Sequence, residues 1–312
     1  MRCLALSGGV GGAKLALGLA RQLSVDELVI VANTGDDFRH LGLKICPDLD
    51  TVMYTLADLA NKELGWGQAG ETWHFLSALE RIGGDSWFRL GDMDMATHIQ
   101  RTQLLAEGLS LSEVTANLCE RLGVIHPIVP MTDDEVATRV HVSNGDILAF
   151  QHYFVRDRCE PEVTGFDFQG IHHARPAPGF VDALKDQLDC ILICPSNPFV
   201  SVDPVLKLPD VESACRTNPA PVIAVSPIIG GAAIKGPAAK MMAELGMPQT
   251  ALAVAEHYVG RIDGFVIDEA DSELQPAIEA LGIRCLVTKT LMRSLDDRRQ
   301  LADDCLRFAT TF

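Results

Sequence analysis

Positive charge and aromatic side chains are both scarce in this sequence. Its 26 lysines and arginines are outnumbered by 42 aspartates and glutamates, which gives a formal net charge of −16 at pH 7, and aromatic residues make up 6% of the chain. Proteins that bind nucleic acid usually present a basic face, and single-strand binders also need aromatic rings on which bases stack. The composition therefore argues against nucleic acid as a partner. An acidic protein that binds an anion must cluster its few cations or recruit a metal ion.

The sequence also lacks paired cysteines and long apolar runs. Its nine cysteines form no CxxC pair, a pattern typical of reduced, buried thiols rather than of disulfides or a zinc site. The apolar runs are far shorter than the ~20 residues that a membrane span needs. Because the N-terminus carries one arginine and leads directly into a strand, no signal peptide is predicted. We therefore expect a cytoplasmic protein with no membrane partner.

What the sequence has in abundance is glycine at its first strand-to-helix turn. An apolar strand over residues 3–6 is followed by four glycines and then by Lys14, where a helical pattern begins. The residues that form the turn are Ser7, Gly8, Gly9, Gly11 and Gly12. Glycine lets a ligand approach main-chain N–H groups closely, and a helix N-terminus favours an anion. The turn predicts a phosphate site, although its spacing is not that of a P-loop, and a turn without a phosphate role stays open.

A second strand is predicted over residues 27–32, so that strand, helix and strand form a βαβ unit of an open parallel sheet. Such sheets bind ligands just beyond the carboxyl ends of their strands. The turn over residues 33–37 is therefore expected beside the glycines. Its two acids, Asp36 and Asp37, could hold magnesium or a ribose hydroxyl. A solvated Asx turn is the alternative.

Two polar stretches follow on predicted helices. Asp50 precedes an apolar-periodic run and is interpreted, from the local pattern alone, as a helix N-cap. From about residue 61 to 125 the pattern is mostly helical, which predicts a helical subdomain inserted over the sheet edge. Four polar residues within it recur at spacings of three and four: Asp94, Thr97, His98 and Arg101. A solvated helix face is the usual meaning of such a set, but the dense charge just before it, including Arg89, indicates a binding loop.

The second half of the chain is predicted to return to the same sheet edge. A β-rich section over residues 127–154 has a hairpin turn at Asn144-Gly145. Buried strands are predicted over 189–194 and 221–225, and polar turns follow them. The residues singled out in these turns are Ser196, Asn197, Gly230, Gly231 and Lys235. Two turns with glycines and a lysine at one edge would suit a ligand with two phosphates.

Together and in this order, six motifs resemble the 2-phospho-L-lactate transferase family (CofD, called FbiA in actinobacteria), over essentially the whole chain. The motifs span residues 7–14, 33–37, 47–51, 91–98, 195–198 and 226–231. We therefore predict one α/β domain over residues 1–312: a Rossmann-like, mostly parallel sheet with helices on both faces and an inserted helical subdomain at about 61–125. The resemblance also implies a homodimer and a part in making the deazaflavin coenzyme F-420.

The reaction that this resemblance implies joins two small molecules. A phosphate ester of a three-carbon acid moves from a guanosine diphosphate conjugate to the ribityl hydroxyl of Fo, 7,8-didemethyl-8-hydroxy-5-deazariboflavin. GMP is released, and Mg²⁺ is required. The acid could be 2-phospholactate, phosphoenolpyruvate or 3-phosphoglycerate, and no motif in the sequence distinguishes these three.

The resemblance also implies roles for single residues. The family's contacts to Fo correspond to Asp50 and Arg89, and we add Thr97 and His98 from the motif over residues 91–98. The glycine turn with Lys14, and the turn of Ser196 and Asn197, would surround the guanosine diphosphate, with Gly230 and Gly231 as a further phosphate contact. Our metal candidates are Asp36, Asp37 and Asp50. Asp50 is also predicted to position the ribityl hydroxyl or to act as its general base.

The sequence leaves two alternatives to a transferase open. The gluconeogenesis-factor family resembles this chain in the glycine turn and binds UDP-sugars without known transfer activity. A nucleotide-sensing regulatory protein without catalysis would also explain a phosphate site. Arg89 and the motif over residues 91–98 favour the transferase.

Overall fold

The central element of the fold is a parallel β-sheet. The computed structural model describes residues 1–233 and 236–312. Within them the strands are β1 (Cys3–Ser7), β2 (Leu28–Ala32), β3 (Phe38–His40), β4 (Leu43–Ile45), β5 (Ile128–Pro130), β6 (Ala137–Val142), β7 (Ile147–Ala149), β8 (Val163–Gln169), β9 (Cys190–Ile193), β10 (Val222–Val225), β11 (Ile228–Ile229), β12 (Ala232–Ala233), β13 (Gly264–Asp268) and β14 (Arg284–Thr288). Seven of them form one sheet in the order β14-β13-β10-β9-β1-β2-β5, in which every neighbouring pair is parallel. The predicted α/β fold is confirmed.

Helices pack on both faces of this sheet. They are α1 (Gly9–Ala20), α2 (Pro47–Leu56), α3 (His74–Arg81), α4 (Asp92–Ala106), α5 (Leu111–Arg121), α6 (Pro178–Lys185), α7 (Asp203–Leu206), α8 (Val211–Thr217), α9 (Ala238–Glu244), α10 (Ala251–His257), α11 (Gln275–Glu279) and α12 (Leu295–Ala309). Two 3-10 helices, at Val25–Glu27 and Glu269–Leu274, and two π-helical turns, at His152–Arg156 and Pro198–Val202, complete the description. Among the described residues, no helix is long and apolar enough to cross a membrane.

The strand β1 lies near the middle of the sheet and divides its side chains between two cores. Cys3 and Ala5 face the core that α1, α2 and α12 cover, whereas Leu4 and Leu6 face the opposite core. The second core is covered by α6, α10 and a three-stranded antiparallel sheet in the order β7-β6-β8. Because both faces of β1 are buried, its sequence is a continuous apolar run instead of an alternating one.

The order of the strands creates a crevice at the carboxyl edge of the sheet. From β1 the chain runs outward on one side through β2 to β5, and it then returns to the other side of β1 to form β9 and the strands beyond it. The direction of progress reverses between β1 and β9, and open α/β sheets bind their ligands at such a switch point. The turn after β1 begins at Gly8 and the turn after β9 begins at Cys194. The predicted glycine turn and the Ser196-Asn197 turn therefore meet at this crevice.

Two local predictions differ from the structure. The helix expected to follow the glycine turn begins inside it, at Gly9, which has a φ of +62°. The extended segment expected to run as far as Phe154 ends at Ala149, and a π-helical turn follows. Phe150 and Tyr153 are both buried, and a helical turn brings residues three apart to one side, so it buries both where a strand would separate them. The Asn144-Gly145 hairpin between β6 and β7 is confirmed.

The region predicted as helical, residues 61–125, contains α3, α4 and α5. Ser110 begins α5 with a reciprocal capping box to Glu113, in which each side chain accepts a hydrogen bond from the other residue's backbone N–H. Helix α4 packs against β4, and α5 packs against β5 at the edge of the main sheet. This arrangement holds the polar face of α4 next to α2 and the crevice.

Candidate active site

A cleft of about 560 Å³ lies at the carboxyl edge of the sheet, over the point between β1 and β9. Ten of the residues predicted for the site line it: Gly8, Gly9, Gly11, Lys14, Asp36, Asp50, Arg89, His98, Ser196 and Asn197. In the part of the chain that the structure describes, six others lie outside its lining: Ser7, Gly12, Asp37, Thr97, Gly230 and Gly231. The cleft thus brings together the two predicted halves of the site, the glycine turn and the acidic α2 segment.

The glycine turn lines the cleft and also packs against the residues that follow β9. The Gly8 N–H donates to Ser196 Oγ at 3.2 Å, and that hydroxyl donates to the Gly8 carbonyl at 2.8 Å. A Cβ atom on Gly8 would lie 2.6 Å from Ser201 Cβ, and one on Gly11 would lie 2.3 Å from the Pro195 carbonyl oxygen. These positions need glycine because the turn packs directly against the loop after β9. The amides of Val10 and Gly11, at the first turn of α1, belong to residues that line the cleft.

Lys14 lies on α1, one turn further from the glycines. Its Nζ donates to the carbonyl oxygen of Met292 at 3.2 Å, and both residues line the cleft. The loop after β14 therefore holds the end of the lysine near the glycine turn. A cation and helix N-terminal amides at one place favour the binding of a phosphate group.

Asp48 is a site residue that the sequence did not single out. Its Oδ1 accepts a hydrogen bond from the Gly9 N–H at 2.6 Å and its Oδ2 accepts one from Asn33 Nδ2 at 2.9 Å. Asn33 Nδ2 also lies 3.3 Å from Asp36 Oδ1, so one amide group bridges the two carboxylates. The sequence feature that could have identified Asp48 is its place in the first turn of a helix that begins with Pro47 at the same sheet edge.

Ionisation of the Asp36 and Asp48 side chains is unfavourable in the folded protein. Burial raises the pKa of Asp48 to about 6, and burial together with the charge of Asp48 raises the pKa of Asp36 well above its usual range. Among residues 1–233 and 236–312, the ion pairs include neither of the two. Two buried carboxylates that line a cleft and have no cationic partner among the described residues are a donor set for a hard cation such as Mg²⁺.

The three predicted metal candidates do not converge. Asp37 pairs with Lys44 Nζ at 3.2 Å, and Asp50 pairs with a guanidinium described below. Within the described residues, the group of three side chains whose donor atoms lie within 4.8 Å of one another consists of Asp50, Asp94 and His98. Of the predicted set, only Asp36 lines the cleft without a cationic partner among the described residues.

Asp50 occupies a different place from the one its local pattern predicts. The N-cap of α2 is Cys46, so Asp50 lies within the first turn of the helix, and its side chain is directed at α4. Arg101 Nη1 donates to Asp50 Oδ2 at 3.1 Å, and Arg101 Nη2 donates to Asp50 Oδ1. Arg101 is 1% exposed and Asp50 is 5% exposed. The interpretation of Asp50 as a cap is wrong, because a tertiary ion pair takes its carboxylate away from the helix end.

The polar face of α4 is buried rather than solvated. Arg101 Nη1 lies 3.1 Å from His98 Nδ1, and because a guanidinium only donates, Nδ1 is the acceptor and the ring proton is on Nε2. His98 Nε2 lies 3.4 Å from Asp94 Oδ2, and the Tyr54 hydroxyl donates to Asp94 Oδ1 at 2.7 Å. Burial opposes ionisation of Asp94, but its contacts with His98 and Tyr54 outweigh it and lower the pKa of that carboxyl. Arg101, His98, Asp94 and Tyr54 thus form one connected network behind Asp50.

Aromatic side chains form the outer walls of the cleft. Phe150 and Phe154 stack with ring centroids 5.5 Å apart, and Phe88 lines the cleft with them. The Arg89 guanidinium lies 4.5 Å from the centre of the Trp73 ring, a cation–π contact. The mouth of the cleft therefore combines apolar rings with one cation, which suits a planar, polar ring system.

The predicted second glycine turn is part of a β-hairpin in the structure. Gly230 and Gly231 both have positive φ and connect β11 to β12 in a short antiparallel hairpin. The Gly230 N–H donates to the Asp271 carboxylate at 3.0 Å. Lys235, which was predicted to add a charge there, lies outside the described residues. The neighbouring Ile229 and Gly236 line the cleft.

Comparison with known proteins identifies relatives across the whole chain. The family model described as 2-phospho-L-lactate transferase CofD matches residues 3–282. A phosphoenolpyruvate transferase of Streptomyces avermitilis is 43% identical over 99% of this chain and 98% of its own length. A 2-phospho-L-lactate transferase of Methanosarcina acetivorans is 39% identical over 96% of both chains. Among solved structures, a UPF0052 family member from Bacillus halodurans has a TM-score of 0.63 at 13% identity, covering 98% of both chains, which is a similarity of fold.

Proposed function

This chain belongs to the 2-phospho-L-lactate transferase (CofD) family, and from that premise we propose that it transfers a phosphorylated three-carbon acid to Fo. The donor is a guanosine diphosphate conjugate, the acceptor is the ribityl hydroxyl of Fo, and GMP is the second product. The acid is phosphoenolpyruvate or 2-phospholactate, which the names of the relatives support. We place phosphoenolpyruvate first because the relatives with the higher identity bear that name.

One observation carries this proposal. The glycine turn and Asp50 line a single cleft at the switch point of the sheet. The glycine side offers the main-chain amides of an α-helix N-terminus and Lys14, which suit a diphosphate. The same cleft is lined by Asp50 and by the aromatic side chains of Phe88, Phe150 and Phe154. A donor with two phosphates and an acceptor with a planar ring and a hydroxyl chain would meet between these surfaces.

The transfer itself is a substitution at phosphorus. The acceptor hydroxyl oxygen bonds to the phosphorus that carries the three-carbon acid, the bond from that phosphorus to the bridging oxygen breaks, and the bridging oxygen leaves with GMP. Such reactions depend on alignment of the attacking oxygen and on neutralisation of charge at the leaving oxygen. Asp50 accepts the hydrogen bond of the attacking hydroxyl and takes up its proton as the new P–O bond forms, and Lys14 with the α1 amides binds the phosphates.

We propose Asp36 and Asp48 as the residues that hold Mg²⁺, in place of the set Asp36, Asp37 and Asp50. Both residues line the cleft beside the glycine turn, and Asn33 Nδ2 donates to both carboxylates. When bound, Mg²⁺ supplies charge neutralisation to the phosphates. Titration of the metal-free protein with Mn²⁺, followed by paramagnetic resonance, should show a site that Asp48→Asn removes and Asp37→Asn retains. Equal loss in both variants would contradict this assignment.

The proposed reaction is tested with purified protein, Fo and Mg²⁺. Parallel incubations contain the guanosine diphosphate conjugates of phosphoenolpyruvate, 2-phospholactate or 3-phosphoglycerate, and products are separated by chromatography with fluorescence detection. We expect a new anionic deazaflavin, formed fastest with the phosphoenolpyruvate conjugate. No product with any donor, together with tight binding of a UDP-sugar, would instead support a regulatory protein. Light scattering of the same sample measures whether the protein is the homodimer that we also propose.

A further inference from the structure

The side chain behind Asp50 is one of the largest that the structure buries completely. Arg101 is 1% exposed and is not part of the cleft lining in the described chain. Its Nη1 and Nη2 atoms each donate to a different oxygen of Asp50, and Nη1 also lies 3.1 Å from His98 Nδ1. A guanidinium is planar and presents its donors in a fixed fork, so a two-point contact fixes the plane of the carboxylate that it binds.

The contact with Arg101 limits the directions from which a ligand in the cleft can approach the Asp50 carboxylate. Both carboxylate oxygens are already held on the side of α4, so a hydroxyl in the cleft can approach only the lone pairs that Arg101 leaves available. The same guanidinium occupies Nδ1 of His98, whose other nitrogen lies beside Asp94. The orientation of two cleft residues, Asp50 and His98, is therefore set by one side chain outside the cleft.

A metal ion is a poor explanation for this cluster. The donor atoms of Asp50, Asp94 and His98 lie close enough to surround one ion. However, Arg101 donates to both oxygens of Asp50 and to Nδ1 of His98, so its fixed positive charge lies directly beside the atoms that would bind a cation and repels it. Divalent cations also prefer all-oxygen sites when they are hard, as Mg²⁺ is. The cluster fits a hydrogen-bond network better than a metal centre.

We propose that Arg101 is a positioning residue, which acts on the transfer step by fixing the Asp50 carboxylate in the orientation that receives the acceptor hydroxyl. The inference rests on the proposed role of Asp50 toward Fo. It predicts that Arg101 affects the rate of transfer without contributing to donor binding, because its contacts are with Asp50, His98 and the Lys44 carbonyl on the acceptor side of the cleft.

The test compares a conservative change with a matched control. Lysine at position 101 keeps the positive charge and loses the two-point fork, so Arg101→Lys should lower kcat by about 10–100-fold, the range expected for a misaligned reacting group. Binding of GDP, measured by calorimetry, should stay unchanged. The control is Arg261→Gln, because Arg261 Nη1 donates to Asp203, a buried carboxylate that lies outside the cleft lining in the described chain. This control should retain kcat.

A double variant separates positioning from a purely structural role. If Arg101 acts through Asp50, then Asp50→Asn combined with Arg101→Gln should be no slower than Asp50→Asn alone. The double variant removes both charges of the Arg101–Asp50 pair together, so it should fold even where Arg101→Gln alone does not. Normal kcat in Arg101→Lys, or a double variant far slower than Asp50→Asn, would overturn the inference. An inactive wild-type protein would instead overturn the proposed function, so the two failures are distinguishable.

Discussion

Two regions of the molecule each bring a histidine and an arginine to a buried aspartate, and they differ in where they lie. At the cleft, Asp50 and Asp94 share Arg101 and His98. Away from the cleft, Asp203 is approached by Lys207 Nζ at 2.9 Å, His257 Nε2 at 3.0 Å and Arg261 Nη1 at 3.2 Å. The first network has two carboxylates for one guanidinium and one imidazole, whereas the second has one carboxylate for three nitrogen-bearing side chains.

The pKa values of the buried acids distinguish a network whose charges are paired internally from acids that a ligand would pair. Burial opposes the ionisation of Asp203, but the hydrogen bond and charge of His257 and the charge of Lys207 outweigh it and lower the pKa of Asp203. Its network is satisfied internally. At the cleft, by contrast, burial raises the pKa of Asp48 to about 6, and burial together with the charge of Asp48 raises the pKa of Asp36. Surplus acid at the cleft is what a metal ion and an acceptor hydroxyl would satisfy.

The largest expected effect is on the cleft network. In Asp50→Asn we expect turnover with saturating Fo to fall by about 10²–10⁴-fold if the carboxylate accepts the hydroxyl proton. A loss of only several-fold would mean that Asp50 contributes to binding alone. Initial rates of deazaflavin product formation provide the measurement, with Asp203→Asn as the matched variant that should keep most of its turnover. Near-normal turnover in Asp50→Asn would remove Asp50 from the mechanism.

The next effect is on stability and should appear in the other network. Asp203→Asn leaves partly exposed Lys207 and Arg261 without their carboxylate, which we expect to cost roughly 2–3 kcal/mol, less than for a fully buried pair. Because the folded pKa of Asp203 is lowered, its contribution is present above the unfolded pKa of about 4 and is lost as pH falls through the lower folded value. Urea unfolding at pH 7 and at pH 3 measures both. A difference from wild type that is unchanged at pH 3 would contradict the ionic origin.

A smaller effect of opposite sign is expected at Asp48. Its folded pKa, raised to about 6, makes ionisation unfavourable, so the metal-free wild type loses stability from this group as pH rises from about 4 to about 6. Asp48→Asn removes that penalty at the expense of weaker bonds to Gly9 and Asn33, and a net gain of about 1–2 kcal/mol at pH 8 should follow. Thermal unfolding in chelator, at pH 8 and pH 4, checks this. An equal gain at both pH values would be inconsistent with the raised pKa.

The smallest effect is expected at the donor side. Lys14→Ala removes one cation from the phosphate seat, and we expect the Kd for GDP to rise about 10-fold, as for loss of one charged hydrogen bond. The KM for Fo and the free energy of unfolding should change little. Lys14→Arg is the matched variant, because it keeps the charge at the same place. A larger effect of Lys14→Ala on Fo than on GDP would reverse the proposed arrangement of the cleft.

Much of the fold follows from local sequence patterns. The apolar strands and the Asn144-Gly145 hairpin depend on residues within a few positions of one another, so the sequence predicts them correctly. The position of the glycine turn at the carboxyl edge also follows, because parallel strands place their following turns together. The resemblance to the transferase family is borne out by the family model that matches residues 3–282.

The partners of the site residues could not be predicted in the same way. Asp50 has the local pattern of a cap, and only the packing of α2 against α4 shows that Arg101, fifty-one residues away, binds it. Asp48 has no distinctive pattern, and its importance comes from contacts with Gly9 and Asn33 on other elements. The face of α4 has the composition of a solvated helix, yet it is buried because its charges are paired across helices.

The cleft of a transferase joins a donor to an acceptor, whereas a sensor or a hydrolase needs only the nucleotide conjugate. The most direct measurement is the rate of GMP release from the phosphoenolpyruvate conjugate, in the presence and absence of Fo. If the protein is a transferase, GMP appears only with Fo and in equal amount to the new anionic deazaflavin. GMP released at the same rate without Fo, or no GMP under either condition, would contradict it.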